Sequence, residues 1–439
     1  MKNVIIIFLV FYSTILNKVY SQWSDVSLGT NSVVDVFYVD SASNLLFVGG
    51  QFSAAGGKNI NSIATWDGSE WNAFGNNEVF SSPGVVSAIV NYNGSIIVGG
   101  DFDSIGMTRV NNIARWNGSE WESLGNGFDD SVNDLIIFKG ELYACGSFYY
   151  SGTDYVNAFA KWNGTNWLRV ANIYGYANSF TIYNDNLIIS GSFYHQNINS
   201  IGNIMSWTGA DVDSTLAGFN NTVIRVKSYN DTLIAVGSFT FGTSNNSNYV
   251  SIYYNQSWHS IGNPTGGQNW ITDAIKYYGE LYLCGYFYDP PDLCRYNGSG
   301  FDSVADVIGF FKVLSEYKGE LYAGGLFRSL NGIAIKNIAR FNKNINSIST
   351  NELLSKNFLS IWPNPSTDGK IFLEFESIYK VNTINIKIYS ITGQLVYSDY
   401  LNNVYSNILN IDISQLHGLF YISCTVNNKF CHVQLISAI

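Results

Sequence analysis

The chain has 439 residues, 16% aromatic and 13% charged, with 41 Gly and only 6 Pro, a composition too apolar for disorder and too often interrupted for a membrane protein. Its net charge of −10 and the absence of a basic stripe argue against a nucleic-acid partner. Acidity of this kind mostly serves solubility.

In chain order, the one long apolar stretch is VIIIFLVFYSTIL at 4–16, preceded by Lys2 and followed by Val19-Tyr20-Ser21, which suits cleavage before Gln22. This predicts a secretory signal peptide over 1–21. No Cys follows to accept a lipid, and no further segment is apolar enough to span a membrane, so the mature chain is expected to be soluble and exported. Residues 22–29, QWSDVSLG, read like the ends of longer units, EWNAFG at 70–75 and EWESLG at 120–125, but their own front is missing.

From there a repeat runs through the chain. Gly-x-Phe after an apolar run recurs at Phe52, Phe102, Phe148, Phe193, Phe239, Phe287 and Phe327, at spacings of 50, 46, 45, 46, 48 and 40 residues. A period of that size points to a propeller or a solenoid. One unit, residues 132–171, holds four short runs rich in branched and aromatic residues, which is the content of a propeller blade. Lys139-Gly140 and Asn163-Gly164 predict tight turns in this unit, as Asn93-Gly94 and Asn117-Gly118 do one blade earlier. The seventh unit lacks a fourth strand with Trp and the Leu-Gly ending, and QWSDVSLG supplies one. A strand donated across the join buries two open sheet edges, so the expectation is a closed ring and not a capped solenoid.

The expected fold class is therefore all-β: a seven-bladed β-propeller over 22–348, a linker over 349–357 and a small β-sandwich over 358–439. Trp66, Trp116, Trp162 and Trp207 fall on third strands, and Trp71, Trp121, Trp167 and Trp258 on fourth strands, where large rings fill the widening gap between blades. Gly49-Gly50, Gly99-Gly100 and Gly324-Gly325 mark second strands where side-chain volume shrinks. In these features residues 30–348 resemble kelch-like propeller repeats. That resemblance implies a fold and no activity.

After residue 358 the texture changes. WPNPSTDG, IYSITGQLV and LHGLFYI occur in order within a region of alternating strands and tight turns. The region resembles the type A C-terminal sorting domain of type IX secretion cargo in Bacteroidota. Pro363, Asn364, Pro365 and Gly369 carry the resemblance, followed by Gly393 in the strand-turn-strand, then Leu416 and Gly418. It implies passage to the periplasm, recognition by the type IX secretion machinery and delivery to the surface or medium. Trp362 stands where the family often has Tyr or Phe. Among five Cys, Cys145 and Cys284 occupy equivalent repeat positions and read as small buried residues, whereas a turn at Asn427-Asn428 would set Cys424 opposite Cys431, where a disulfide is sterically allowed.

Chemical motifs are sparse. The four His are isolated, Asp101-Phe102-Asp103 has no third carboxylate in line, and no nucleophile elbow or phosphate loop is present, so no cofactor or metal is expected. Long connections such as 53–62, 149–157 and 240–248 fall on the face where first strands begin, and function is expected there. Aligning first strands makes Asp35, Ala88, Asp134, Ser179, Arg225, Asp273 and Val313 equivalent, with charges at Asp35, Asp134, Arg225 and Asp273. Charges at a channel mouth bind ligand or are simply wetted by channel water. Tyr149, Tyr194 and Tyr288 follow Phe anchors and suit stacking on a sugar face. The expectation is a surface or secreted propeller binding glycan or protein; the alternative is an exported polysaccharide hydrolase or lyase using two of Asp35, Asp134 and Asp273 as acid and base.

Overall fold

The computed structural model describes residues 23–438 except 196–197, 214–215, 217, 230, 242–246, 265–269, 289–290, 342–358, 363–369, 376–380, 391–394, 405–407, 417 and 427–428. The expected signal peptide and linker lie outside the described residues. Two compact units result, one bearing the repeat and one the C-terminal strands.

The repeat forms seven antiparallel sheets of four strands each, each running first to fourth in spatial order. The first strands are Val34–Asp40, Val85–Tyr92, Val132–Phe138, Ile173–Tyr183, Val223–Tyr229, Trp270–Tyr277 and Val307–Tyr317. Each touches the next, and the seventh touches the first, so they encircle an axis. In blade 7 the fourth strand is Trp23–Asp25, paired antiparallel through Trp23↔Phe341, Ser24↔Arg340 and Asp25↔Ala339. Trp23 is buried against Phe341 and Phe311, at ring-centroid distances of 5.2 and 6.2 Å. The missing front of QWSDVSLG is thus the rest of blade 7.

Turn chemistry differs between the inner and outer strand pairs of a blade. Lys139 and Gly140, like Asn93 and Gly94, all take positive φ, as a two-residue hairpin turn matched to strand twist requires. The Asn117-Gly118 and Asn163-Gly164 connections are longer, four-residue loops between paired Trp residues. There the Asn side chain closes the turn: Asn117 Oδ1 accepts from the N–H groups of Ser119 and Glu120 at 2.9 and 3.0 Å.

Polar staples join neighbouring blades. Fourth-strand Trp indoles donate to the strand end of the preceding blade, Trp121 to Gly75 O at 3.1 Å, Trp167 to Leu124 O at 3.0 Å and Trp258 to Leu216 O at 3.0 Å. Trp71 makes the same bond to Val26 O at 2.8 Å, across the seam. An Asn in the left-handed region before the third strand adds another link. Asn112 Oδ1 accepts from Phe102 N–H and its Nδ2 donates to Phe128 O. Asn337 repeats this with Phe327 N–H and, across the seam, Thr30 O. Blade 7 therefore meets blade 1 through the same bonds that join other blades.

Every first strand carries a β-bulge near its start, opposite the Gly of Gly-x-Phe or the residue before it. The extra residues are Asp35, Ser87, Asn133, Asn178, Ile224, Thr272 and Lys312. The bulge turns a carbonyl towards the second strand, so a Cβ on Gly50 would lie 2.1 Å from Val33 O, and one on Gly237 2.2 Å from Thr222 O. Gly at this position follows from the bulge.

The C-terminal unit has a three-stranded sheet, Leu359–Trp362, Lys370–Phe375 and Ile408–Asp412, and a four-stranded one ordered Leu395–Val404, Val381–Ser390, Gly418–Val426, Lys429–Ala438. Ile384, Ile386, Ile388, Ile411 and Ile422 are buried, the alternation of strands with one covered face. Pro363, Asn364, Pro365, Gly369 and Gly393 lie outside the described residues, and Gly418 opens a strand. Cys424 pairs in register with His432, and Cys431 is the extra residue of a bulge; both side chains lie outside those described.

Deleting residues 22–29 should leave blade 7 with an exposed edge, lowering the melting temperature and promoting association. Trp23→Ala alone should cost about 3–5 kcal/mol in denaturant unfolding, by loss of a buried indole. An unchanged melt and a monomeric deletion variant would contradict the donated strand.

Candidate functional site

The bulges build the mouth of the axial channel. A cavity of about 390 Å³ lies there, lined by Asp35, Ser87, Asn133, Asn178, Ile224 and Lys312 from bulges, with Arg225, Tyr176 and Trp270 beside them. Its volume lies in the ligand-pocket range, and its lining is mainly polar, with Tyr176, Trp270 and Ile224 as the apolar part. It opens on the face where first strands start and the long connections lie.

Adjacent bulge residues form a belt. Asn133 Nδ2 donates to Ala177 O at 2.9 Å, Asn178 Nδ2 to Val223 O at 3.4 Å and Thr272 Oγ1 to Phe311 O at 3.3 Å. At the seam the belt is ionic: Lys312 Nζ donates to Asp35 Oδ1. Asp35 Oδ2 is buried without a hydrogen-bond partner among the described residues.

The residue after the bulge does different work. Asp134 accepts from its neighbour Leu135 N–H and, with the other oxygen, from Phe180 N–H of blade 4 at 2.8 Å. Asp273 does the same with Ala274 N–H and with Leu314 N–H of blade 7 at 2.8 Å. Ser179 Oγ accepts from Val226 N–H of blade 5. These side chains clasp one first strand to the next. Burial pushes the Asp134 carboxyl above its ordinary range, with Arg225 opposing. Asp273 has no exposed side-chain surface, and Lys227 and Arg225 lie 2.7 and 3.5 Å from it.

The seven-position alignment read from sequence therefore mixes two registers. Asp35 is a bulge residue, and its blade contributes Val36, not Asp35, to the row of Ala88, Asp134, Ser179, Arg225, Asp273 and Val313. Blade 1 slips by one because its first strand closes on Asp40, paired with Leu45, where the other blades close on Tyr or Phe, so that alignment on a closing aromatic or apolar residue takes Val39 instead. Of the charged residues singled out, Asp35 and Arg225 line the cavity, while Asp134 and Asp273 clasp strands beside it.

The aromatic residues also divide. Tyr149 and Tyr194 are exposed, Tyr194 stacked on Tyr174 at 5.5 Å, but neither lines the cavity; the side chain of Tyr288 lies outside those described. The rings that do line it are Tyr176 and Trp270, 43% and 47% exposed. Both sit two residues before a bulge, a position filled by Val85 and Ser131 in blades 2 and 3. Trp270 stacks on Tyr286 at 5.4 Å and 21°. Sequence reasoning missed them, although the bulge residue stands thirteen positions before the Gly of Gly-x-Phe in blades 2 to 7. Among the described residues no group of three or more His, Cys, Asp or Glu could hold a metal ion, and no helix is long and apolar enough to cross a membrane.

Residues 360–437 match the family described as the secretion system C-terminal sorting domain. No curated protein matches the chain. The sorting domain marks the chain as type IX secretion cargo, directed to the cell surface or released.

Asp273→Ala should destabilise the fold by about 3–5 kcal/mol, because it orphans a buried N–H in blade 7 and uncovers two cations; Asp134→Asn, which keeps one acceptor oxygen and removes a poorly solvated charge, should cost roughly 1 kcal/mol. Urea titration at pH 7 measures both. Attaching residues 358–439 to an unrelated exported protein should send it to the surface or medium of a host with the type IX system, and retention in the periplasm would contradict that role.

Proposed function

We propose that the protein is an exported seven-bladed propeller that binds glycan through the axial mouth on its long-loop face. The observation that carries this reading is the cavity of about 390 Å³ in which Tyr176 and Trp270 stand half-exposed beside a belt of amides, hydroxyls and cations. Sugar rings offer an apolar face and a hydroxyl rim. An indole face suits the first, and Asn133, Asn178 and Ser87 suit the second. Asn133 and Asn178 spend amide hydrogens on the belt, which leaves their carbonyl oxygens to accept from hydroxyls. The carboxylates Asp134 and Asp273 accept backbone N–H groups and hold blades together, which favours a binding role for the mouth.

A glycan array probed with residues 22–439 tests this directly. Binding should fall roughly tenfold for Trp270→Ala and again for Tyr176→Ala, the scale of one aromatic contact each, without loss of the β-rich fold. Binding indifferent to both substitutions, or an array with no bound glycan, would overturn the reading.

A further inference from the structure

We infer that the glycan is anionic, carrying a carboxylate or sulfate held at the mouth by Lys312 and Arg225; this rests on the glycan reading above. The charges of the mouth are sorted by depth. Lys312 and Arg225 keep 43% and 27% of their side-chain surface, while their partners Asp35 and Asp273 keep 3% and 0%. Coulomb interaction falls with distance and rises as water is excluded, so a ligand entering the cavity meets the cations first. Lys227 adds a third cation against Asp273. In both pairs that reach the cavity the cation is thus the exposed partner and the carboxylate the buried one, on a chain whose net charge is −10.

Placement adds specificity. Arg225 is on blade 5, Trp270 on blade 6 and Lys312 on blade 7, so the exposed indole stands between two cations. Arg225 is held by its Nε, which donates to Thr272 O at 3.3 Å, and its terminal nitrogens have no hydrogen-bond partner among the described residues. A guanidinium fixed in this way presents paired donors to a planar carboxylate or to sulfate oxygens. Lys312, anchored on Asp35, contributes a point charge. An acidic sugar stacked on Trp270 brings its ring and its anion to these groups together. Long-range repulsion by the acidic chain is screened beyond about 10 Å at 0.1 M salt, so attraction at the mouth is local.

The test uses residues 22–439 and four probes: polygalacturonate, its methyl ester, dextran sulfate and unmodified dextran, with affinity read by calorimetry at 50 and 300 mM salt. At least one anionic polymer should bind tenfold or more tightly than its neutral counterpart, and the preferred pair tells carboxylate from sulfate. Salt should weaken that binding. The double variant Asp35→Asn/Lys312→Gln, which leaves no unpaired charge at the seam, and Arg225→Gln should each reduce it at least fivefold with melting temperatures near that of the parent. Should the double variant fail to fold, Arg225→Gln alone decides. Equal binding of charged and neutral polymers that still requires Trp270 would overturn the anionic assignment and leave the glycan reading standing. Binding to neutral glycans on the array with none to either anionic polymer would do the same. Loss of all glycan binding on the array would remove both.

Discussion

A ring of blades exists only if the last sheet can find a partner for its open edge, and here three residues from the start of the repeat, Trp23–Asp25, provide it. The pairing is short, but it is set within bonds that recur between blades. Trp71 reaches Val26 O as Trp167 reaches Leu124 O, and Asn337 reaches Thr30 O as Asn112 reaches Phe128 O. On the inner side Lys312 and Asp35 continue the belt across the join. The seam is stapled at its outer strand, its loops and its axis. An edge left open there would be a template for association.

The same geometry produces the mouth. A bulge in each first strand inserts one residue towards the axis and reorients a carbonyl, and the second strand answers with Gly. What distinguishes one blade from another is the side chain on the bulge and the one two positions before it. Blades 2 and 3 place Ser87, Asn133, Val85 and Ser131 at these positions, whereas blades 4, 6 and 7 bring Tyr176, Trp270 and Lys312. Sevenfold backbone regularity thus carries an asymmetric surface, with rings and cations gathered towards blades 4 to 7. In blades 3, 4 and 6 the residue after the bulge is spent on cohesion, so Asp134 and Asp273 lie buried under backbone N–H groups, whereas Arg225 at the same position of blade 5 lines the cavity.

Much of this was legible from residues alone, for identifiable reasons. The blade count, the donated strand and the positions of the Trp residues follow from a period and from local turn chemistry, both of which survive one-dimensional reading. The C-terminal domain was legible because its motifs occur in fixed order over its whole length. The mouth was not, since a bulge breaks the two-residue alternation on which side-chain direction is inferred. The polar Asp40 that closes the first strand of blade 1 then shifted Asp35 by one position against its counterparts, since alignment on a closing aromatic or apolar residue stops at Val39. Tyr149 and Tyr194 stood out because they follow the Phe anchors, but the chain leaves the mouth at that point. Tyr176 and Trp270 sit in less conspicuous surroundings, and only the strand register places them at the axis.

The central claim is that one end of the repeat closes the ring as a full member of blade 7. Amide hydrogen exchange resolved to short peptides tests it most directly. Backbone N–H groups within 23–26 and 338–341 should exchange as slowly as those within 71–74 and 113–116, because the seam and an internal blade share one pattern of pairing. Fast exchange at 23–26 and 338–341, with protection kept at 71–74 and 113–116, would contradict the account.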